Sequence, residues 1–375
     1  MIETKNLIIG AGPAGLAMAG RLRKLRQAFE IIERSNRIAE AWHRHYDRLH
    51  LHTTKASSAL PHQPFPKSYP LYVSKGQLIE YYDNYARQFE IRPHLGQQAV
   101  QVSRIGHKWH TRTQKGDLFI SDQVVVCTGF NNVPNDPDFE GKADFQGTMI
   151  HSRQYKNPDP YLHQKVLVVG MGNTGAEIAL DLAEQGVETY LSVRGPVNIV
   201  PRDLNGRPTQ DTAKILRKLP FHLGDRIGRL VQQLTIGDLS EYGIERPQIA
   251  PSAQLRLYAK TPVLDIGTVA AIKKGNIKVK PGIRKILQKG VLFKDESRLE
   301  LDAIILATGY KAALSSFIPD IEPLLNHHQH PREIHAGPSH DGLFFVGFDG
   351  YSSGILESIH RDSEAVAGMI LKRLG

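Results

Sequence analysis

Gly10, Gly12 and Gly15 stand in the spacing GxGxxG directly after the apolar run LII, and a helical pattern follows from Leu16 to Leu25. Such a turn does its chemistry through the backbone. The first glycine allows the tight turn, the second lets a pyrophosphate approach the main chain, and the third lets helix and strand pack closely. The N–H groups at the start of the helix then face the phosphates with partial positive charge. The same spacing returns as Gly170, Gly172 and Gly175 after KVLVVG, followed by a helix through AEIALDLAEQG and a strand TYLSVR. Within the turns, Pro13 and Ala14 of the first and Asn173 and Thr174 of the second join the candidate nucleotide contacts.

The two turns differ where their second strands end. Eighteen residues after Gly15 lies Glu33, an acid placed to accept hydrogen bonds from an adenosine ribose, followed by Arg34. Eighteen residues after Gly175 lies Val193, followed by Arg194. The second position lacks the carboxylate that would repel a 2'-phosphate and has a guanidinium that could grip one, which favours NADP(H) over NAD(H). The first site suits FAD. The plainer alternative for Arg194 is a solvated loop cation.

A second repeat supports the first. DQVVVCTGF carries Asp122, Thr128, Gly129 and Phe130, and LDAIILATGY carries Asp302, Thr308, Gly309 and Tyr310, each pair 180 positions apart. Both are continuous apolar strands of the kind buried in a parallel sheet, ending in Thr-Gly where chain and ligand can approach closely. Near the end of the chain, GLFFVGF reads as a further buried strand. A helix starting near Ser353 and Gly354 then either points its N–H groups at a flavin or is a plain core helix. The expected fold class is α/β with two Rossmann-like dinucleotide-binding domains, the FAD domain discontinuous and the NADPH domain inserted. The expected boundaries are 1–159 for the first part of the FAD-binding domain, 160–300 for the NADPH-binding domain and 301–375 for the C-terminal part of the FAD-binding domain. NVPNDPDFEGKADFQG and YKNPDPYLH read as linkers.

Composition narrows the classes. At 375 residues with 41% hydrophobic and 23% charged side chains, the chain is an ordinary globular sequence, which excludes a small disulfide scaffold and intrinsic disorder. The single cysteine, Cys127, excludes an intrachain dithiol couple and a thiolate zinc cage. A net charge of +9 suits anionic ligands, while scattered basic residues without a nucleic-acid motif argue against DNA or RNA. No leader and no apolar run near the roughly 20 residues of a membrane span are read, so a cytoplasmic protein without an integral membrane segment is expected.

Between the two modules FQGTMIHSRQY places Phe145, Gly147, His151 and Tyr155 in the pattern FxGxxxHxxxY. By itself this is a loop with one histidine. In this position it resembles the signature of class B flavin-dependent monooxygenases of the flavin-containing monooxygenase type. AWHRHYDRLHLHTTKASSALPHQPFP, LGD with GIERP, and TPVLDIGTVAAIKKGNIKV followed by ILATGYK resemble the YUCCA branch, whose plant members convert indole-3-pyruvate to indole-3-acetate. The resemblance covers residues 5 to 312. It departs at GYSSGILESI, where that branch has a GLLGAS-like stretch, so substrate identity does not carry across.

The resemblance implies FAD, NADPH and molecular oxygen as cofactors and co-substrate, a flavin C4a-hydroperoxide shielded by bound NADP+, and oxygenation of a small organic substrate. That substrate is either a 2-oxo acid such as indole-3-pyruvate, with decarboxylation, or an amine or sulfide. His52, in the segment where animal relatives hold an Asn, is the candidate flavin-side hydrogen-bonding group, with Thr53 beside it; the alternative is a structural histidine at the end of an apolar strand. His151 completes the candidate catalytic set. Trp42 is either an aromatic wall near the flavin or core, and Val100, Tyr310 and Gly354 complete the cofactor-binding candidates. No metal is expected, although His327, His328, His330 and His335 crowd one loop. FHLGDRIGRLVQQLTIGDL is read as a packed insertion helix lining a substrate entrance in preference to a membrane-touching one. An NAD(P)H oxidase or flavin reductase releasing hydrogen peroxide, and a non-enzymatic nucleotide sensor, are the competing functions. Expected partners are the small-molecule substrate and oxygen, with a second copy of the chain as the protein partner considered.

Overall fold

The structure, a computed structural model, describes residues 1–216, 220–258, 260–349 and 354–373. It forms two compact units, one of residues 1–43, 53–133 and 310–375, the other of residues 44–52 and 134–309. The second therefore includes 44–52, 134–159 and 301–309, which the sequence assigns to the flanking FAD segments.

In the first unit, β1 (Ile2–Ile9) runs parallel to β2 (Phe29–Glu33) and, on its other side, to β6 (Leu118–Val126). The order is β3 (His94–Leu95), β2, β1, β6, β5 (Lys108–Thr113), β4 (Ala99–Ile105), and the strand Leu343–Phe345 also pairs in parallel with β6. Central strands covered on both faces lose the period-two alternation, hence Leu7, Ile8, Val124, Val125 and Val126 are all fully buried. β1 begins earlier than its apolar run, because residues 2–6 still find register partners in Phe119–Gln123. α1 (Pro13–Lys24) crosses from β1 to β2 and packs on the C-terminal helix Ile355–Lys372, whose Leu356, Ile359, Val366 and Ile370 face inward at helical spacing. The buried Arg21 on α1 donates to Ser363 Oγ at 3.0 Å and to the His360 carbonyl at 3.0 Å on that helix. Its charge thus stays hydrogen-bonded although enclosed.

The second unit repeats the plan in a five-stranded all-parallel sheet. β7 (Thr148–His151) is its edge, β8 (Lys165–Val169) leads into α3 (Asn173–Glu184), and β9 (Glu188–Ser192), β10 (Ile277–Lys280) and β11 (Ala303–Leu306) complete it in the order β10, β9, β8, β11, β7. A three-stranded antiparallel sheet over 283–300 shares a core with it through Ile286, Phe293, Leu167 and Ile304. β6 and β11 are the 180-residue repeat, each lying beside the strand that feeds its unit's glycine turn.

Candidate functional site

The two glycine turns have nearly one geometry. Gly10 and Gly170 each take φ +104°, open to glycine and strained for other residues, and a Cβ on either would lie 2.7 Å from the Cys127 carbonyl oxygen or 2.8 Å from that of Ala307. Gly12 and Gly172 cap their helices in extended backbone without a side-chain cap, and a Cβ on either meets no protein atom within 4 Å. Gly15 and Gly175 press against the carbonyl oxygens of Gly10 and Gly170. Each turn thus leaves its first helical amides uncapped by side chains and its second glycine facing open space, the cradle that a pyrophosphate fills.

Around the first turn, Glu33 Oε2 accepts the Ala11 N–H at 2.8 Å and Oε1 the Ser35 N–H at 2.9 Å, so the acid is tied to the turn it was read to serve. Thr128, beside Gly10, has a buried hydroxyl without a hydrogen-bond partner among the described residues, a polar group that fits a bound ligand. Gly129 adopts φ +68° with open space at its Cβ position. Pro13 occupies the first turn of α1, Ala14 is buried beneath it, and Arg34 is exposed. Cys127 is fully enclosed, and burial holds its thiol far above the usual range, which keeps it protonated.

The second turn is already more committed to protein. Asn173 Oδ1 accepts the Leu264 N–H at 2.7 Å, and Thr308 Oγ1 donates to the Asn135 carbonyl at 2.5 Å. Thr174 is half-buried beside Asn173, and Gly309 has φ +83°. The Val193 N–H is held by the Lys280 carbonyl, which leaves Arg194 exposed just past the end of β9, next to Gly282 and the Lys294 stem.

The FxGxxxHxxxY residues brace this unit. Phe145 packs on its core, and any Cβ on Gly147 would collide with the Asp302 carbonyl oxygen and the Phe145 ring. His151 accepts the Arg153 N–H on Nδ1 at 3.1 Å, which places its proton on Nε2, 3.1 Å from the Gly309 carbonyl. Burial first, opposed by that Gly309 bond, lowers its pKa. Both ring nitrogens therefore serve the backbone and brace the Thr308–Gly309 turn. Tyr155 is buried and donates to Asp181 Oδ2 at 2.8 Å, and burial followed by that carboxylate pushes its phenol well up.

Sequence reading missed the network that holds His52. His52 lies in a bend, not at a strand end, and its Nε2 is 2.8 Å from Glu177 Oε1 on α3. Glu177 is only 4% exposed, and its other oxygen accepts the Tyr46 hydroxyl. One turn further along α3, Asp181 takes Tyr155 and Arg48, whose guanidinium also reaches Glu184 at 2.7 Å. The signal was present as Glu177 and Asp181 at i, i+4 on a helix face that is otherwise apolar, a spacing that places two acids on one buried stripe. His52 Nδ1 is buried and has no hydrogen-bond partner among the described residues.

Other candidates scatter. Thr53 Oγ1 and Ser58 Oγ are 2.7 Å apart, and the Thr53 methyl stands 2.7 Å from where a Cβ on Gly354 would be, so φ +110° at Gly354 belongs to a close approach. The helix start read at Ser353 lies outside the described residues. Trp42 is half-buried with its ring 6.2 Å from Tyr82, Tyr310 is half-buried, and Val100 lies 43% exposed in the antiparallel β4. No group of three or more His, Cys, Asp or Glu among the described residues could hold a metal.

The His327, His328 and His330 rings do gather, and burial followed by the charges of His328 and His327 lowers the His330 pKa to about 4. Because the unfolded ring protonates near 6.5, the neutral folded form contributes stability above that pH and loses it as pH falls toward 4. The melting temperature is expected to drop through this window, and His330→Gln to flatten the drop; an equally steep decline in His330→Gln would place its source elsewhere.

Two dinucleotide-type units with uncapped glycine turns define a protein of the two-nucleotide α/β class. Residues 8–327 match the family model described as flavin-binding monooxygenase-like. The chain is 36% identical over 386 residues to indole-3-pyruvate monooxygenase YUCCA4 of Oryza sativa subsp. japonica, covering 98% of this chain and 87% of the relative. It is 39% identical over 326 residues to probable indole-3-pyruvate monooxygenase YUCCA3 of Arabidopsis thaliana, covering 84% and 75%. The flavin-containing monooxygenase from Stenotrophomonas maltophilia has the same fold, with a TM-score of 0.76 at 17% identity over 100% of both chains. The chain belongs to the flavin-binding monooxygenase-like family and is a flavin-dependent monooxygenase. Among the described residues no helix is long and apolar enough to cross a membrane.

Proposed function

We propose that the protein is an FAD- and NADPH-dependent monooxygenase that oxygenates a small 2-oxo acid of the indole-3-pyruvate type with loss of carbon dioxide. The observation that carries this reading is the pair of matched turns with unlike strand ends, Glu33 bound into the first and Arg194 free to face solvent beyond the second. The first unit takes FAD on Gly10, Gly12, Gly15, Glu33, Thr128 and Gly129. The second takes NADPH on Gly170, Gly172, Asn173, Gly175 and Arg194. The 2-oxo acid is supported by relatives at 36% and 39% identity that carry that activity in their names.

Bound FAD supplies hydride acceptance from NADPH and activation of oxygen. The chain's own work is to position and to protect. Uncapped amides of α1 and α3 hold the diphosphates, the Thr128 hydroxyl gives FAD a buried hydrogen-bonding partner, and His151 keeps the Thr308–Gly309 turn in place. His52, oriented by Glu177, presents Nδ1 to the reacting groups. The overall balance is 2-oxo acid, oxygen, NADPH and a proton giving the shortened acid, carbon dioxide, NADP+ and water.

The test is stoichiometry with purified holoenzyme. One indole-3-acetate per NADPH with little hydrogen peroxide is expected from indole-3-pyruvate. Peroxide equal to NADPH with every 2-oxo acid, amine and sulfide offered would make the protein an oxidase. Arg194→Ala is expected to raise KM for NADPH about tenfold, ~1.4 kcal/mol, the scale of one charged hydrogen bond to phosphate, while leaving KM for NADH unchanged. Equal kinetics in wild type and variant with both nucleotides would return Arg194 to the solvated surface.

A further inference from the structure

The helices α4 (Phe221–Thr235) and α5 (Pro251–Tyr258) carry six of the fifteen large hydrophobic side chains exposed among the described residues: Phe221, Leu223, Leu230, Leu234, Leu257 and Tyr258. On α4 the spacing of Leu223, Ile227, Leu230 and Leu234 puts them on one stripe, and Leu230 and Leu234 are 57% and 76% exposed. Ile227 is half-buried between these exposed leucines. The side facing the protein is instead small and polar. Gly224 is buried, and Gly228 has Ser252 as the nearest neighbour to a Cβ. Gln232 is buried and donates to Asn198 Oδ1 and the Ile199 carbonyl. Asp225 pins the pair of helices by accepting from Ser252 and Arg256. The helix is thus fastened by hydrogen bonds, and the leucines of its apolar stripe are turned to solvent.

The rim of that face is cationic. His222, Arg226 and Arg229 are exposed on α4, and Arg256 lies 4.5 Å over the Phe221 ring. The one acid of α4, Asp225, is engaged with Arg256. Pairing of this face with itself across a two-fold would set Arg226 and Arg229 against their own copies, a like-charge juxtaposition. An apolar stripe flanked by arginines matches an interfacial helix lying flat, its leucines among acyl chains and its guanidinium groups at anionic headgroups. Fifteen residues span about 22 Å along the axis, which suits lying in the interface and falls short of crossing the hydrocarbon.

We propose that α4 and α5 form a peripheral docking surface for an anionic lipid bilayer, independent of which substrate the enzyme oxygenates. The test is flotation of the holoenzyme with phosphatidylcholine vesicles and with roughly 3:1 phosphatidylcholine:phosphatidylglycerol vesicles. Binding is expected to the anionic vesicles and to weaken with salt. It is expected to fall on the order of tenfold in the Arg226→Gln, Arg229→Gln double variant. Leu230→Asp with Leu234→Asp is expected to abolish flotation while leaving FAD content and NADPH oxidation unchanged, since both side chains are exposed and outside the nucleotide sites. Absence of flotation with either vesicle, or flotation unaltered by the aspartates, overturns the proposal. So does a dimer in gel filtration that the same aspartates dissociate, which would assign the face to a second copy.

Discussion

Gly12→Ala is expected to fold with native circular dichroism and melting behaviour, yet to leave purification without bound FAD. Gly15→Ala is expected not to yield a stable fold at all. The two substitutions add the same methyl group three residues apart, and the structure separates them. At Gly12 the backbone is at φ −79°, which alanine adopts freely, and a Cβ meets no protein atom within 4 Å. It therefore intrudes only where the pyrophosphate must touch the main chain. A loss of FAD affinity of about 100-fold or more, ~2.7 kcal/mol, is expected by titration of the deflavinated protein. At Gly15 the added carbon falls on the Gly10 carbonyl oxygen, with the Ile31 side chain at 3.4 Å behind it. Relief requires α1 to move off the strands, an overpacking cost on the order of 3 kcal/mol or more against a total stability of about 5–15. Gly172→Ala is the matched control, expected to raise KM for NADPH while FAD stays bound. A Gly12→Ala protein as yellow as wild type would overturn the assignment of the first turn to FAD.

These turns were legible because their geometry is local. A positive φ, a close carbonyl and a helix start all fall within six residues, and the 180-residue repeat of Thr-Gly strands reports a sheet position that local sequence imposes. What stayed hidden depends on which surfaces meet. The histidine of FxGxxxHxxxY is open in sequence to a chemical role or to a linker histidine satisfied by backbone, and its partner on Nε2, the Gly309 carbonyl, lies 158 residues away. Glu177 and Asp181 passed as ordinary helix residues until Tyr46, Arg48, His52 and Tyr155 were brought to them. On α4 the hydrophobic periodicity places an apolar stripe but not its surroundings, because a moment fixes the direction of the stripe within the helix without saying whether protein lies on that side. Gly224, Gly228 and Gln232 decided it, and their role becomes visible only against Asn198, Ile199 and Ser252.

Removal of the Glu177 charge is expected to uncouple the enzyme without emptying it. Tyr46 is a donor to Glu177 Oε2, so in Glu177→Gln the amide oxygen is retained on the Tyr46 side and the NH2 group turns toward His52. His52 Nε2 must then accept instead of donate, and the ring proton moves to Nδ1. The ring nitrogen that has no partner among the described residues changes from acceptor to donor while the fold, the volume and both nucleotide turns stay as they were. On the reading that His52 Nδ1 serves the reacting groups, product formed per NADPH oxidised is expected to fall about 100-fold, the low end of what a positioned proton-transfer group contributes, with hydrogen peroxide making up the difference. His52→Ala should show the same shift, and the double variant should be no worse than either single one, because both remove a single function. The readout independent of turnover is the imidazole nitrogen resonance of His52, expected to report Nε2 protonated in the wild type and Nδ1 protonated in Glu177→Gln. Tyr46→Phe keeps the carboxylate on His52 and is expected to preserve the wild-type tautomer and coupling. If the tautomer switches in Glu177→Gln and product yield does not, His52 is a structural ligand of α3 and the reacting groups are served from elsewhere.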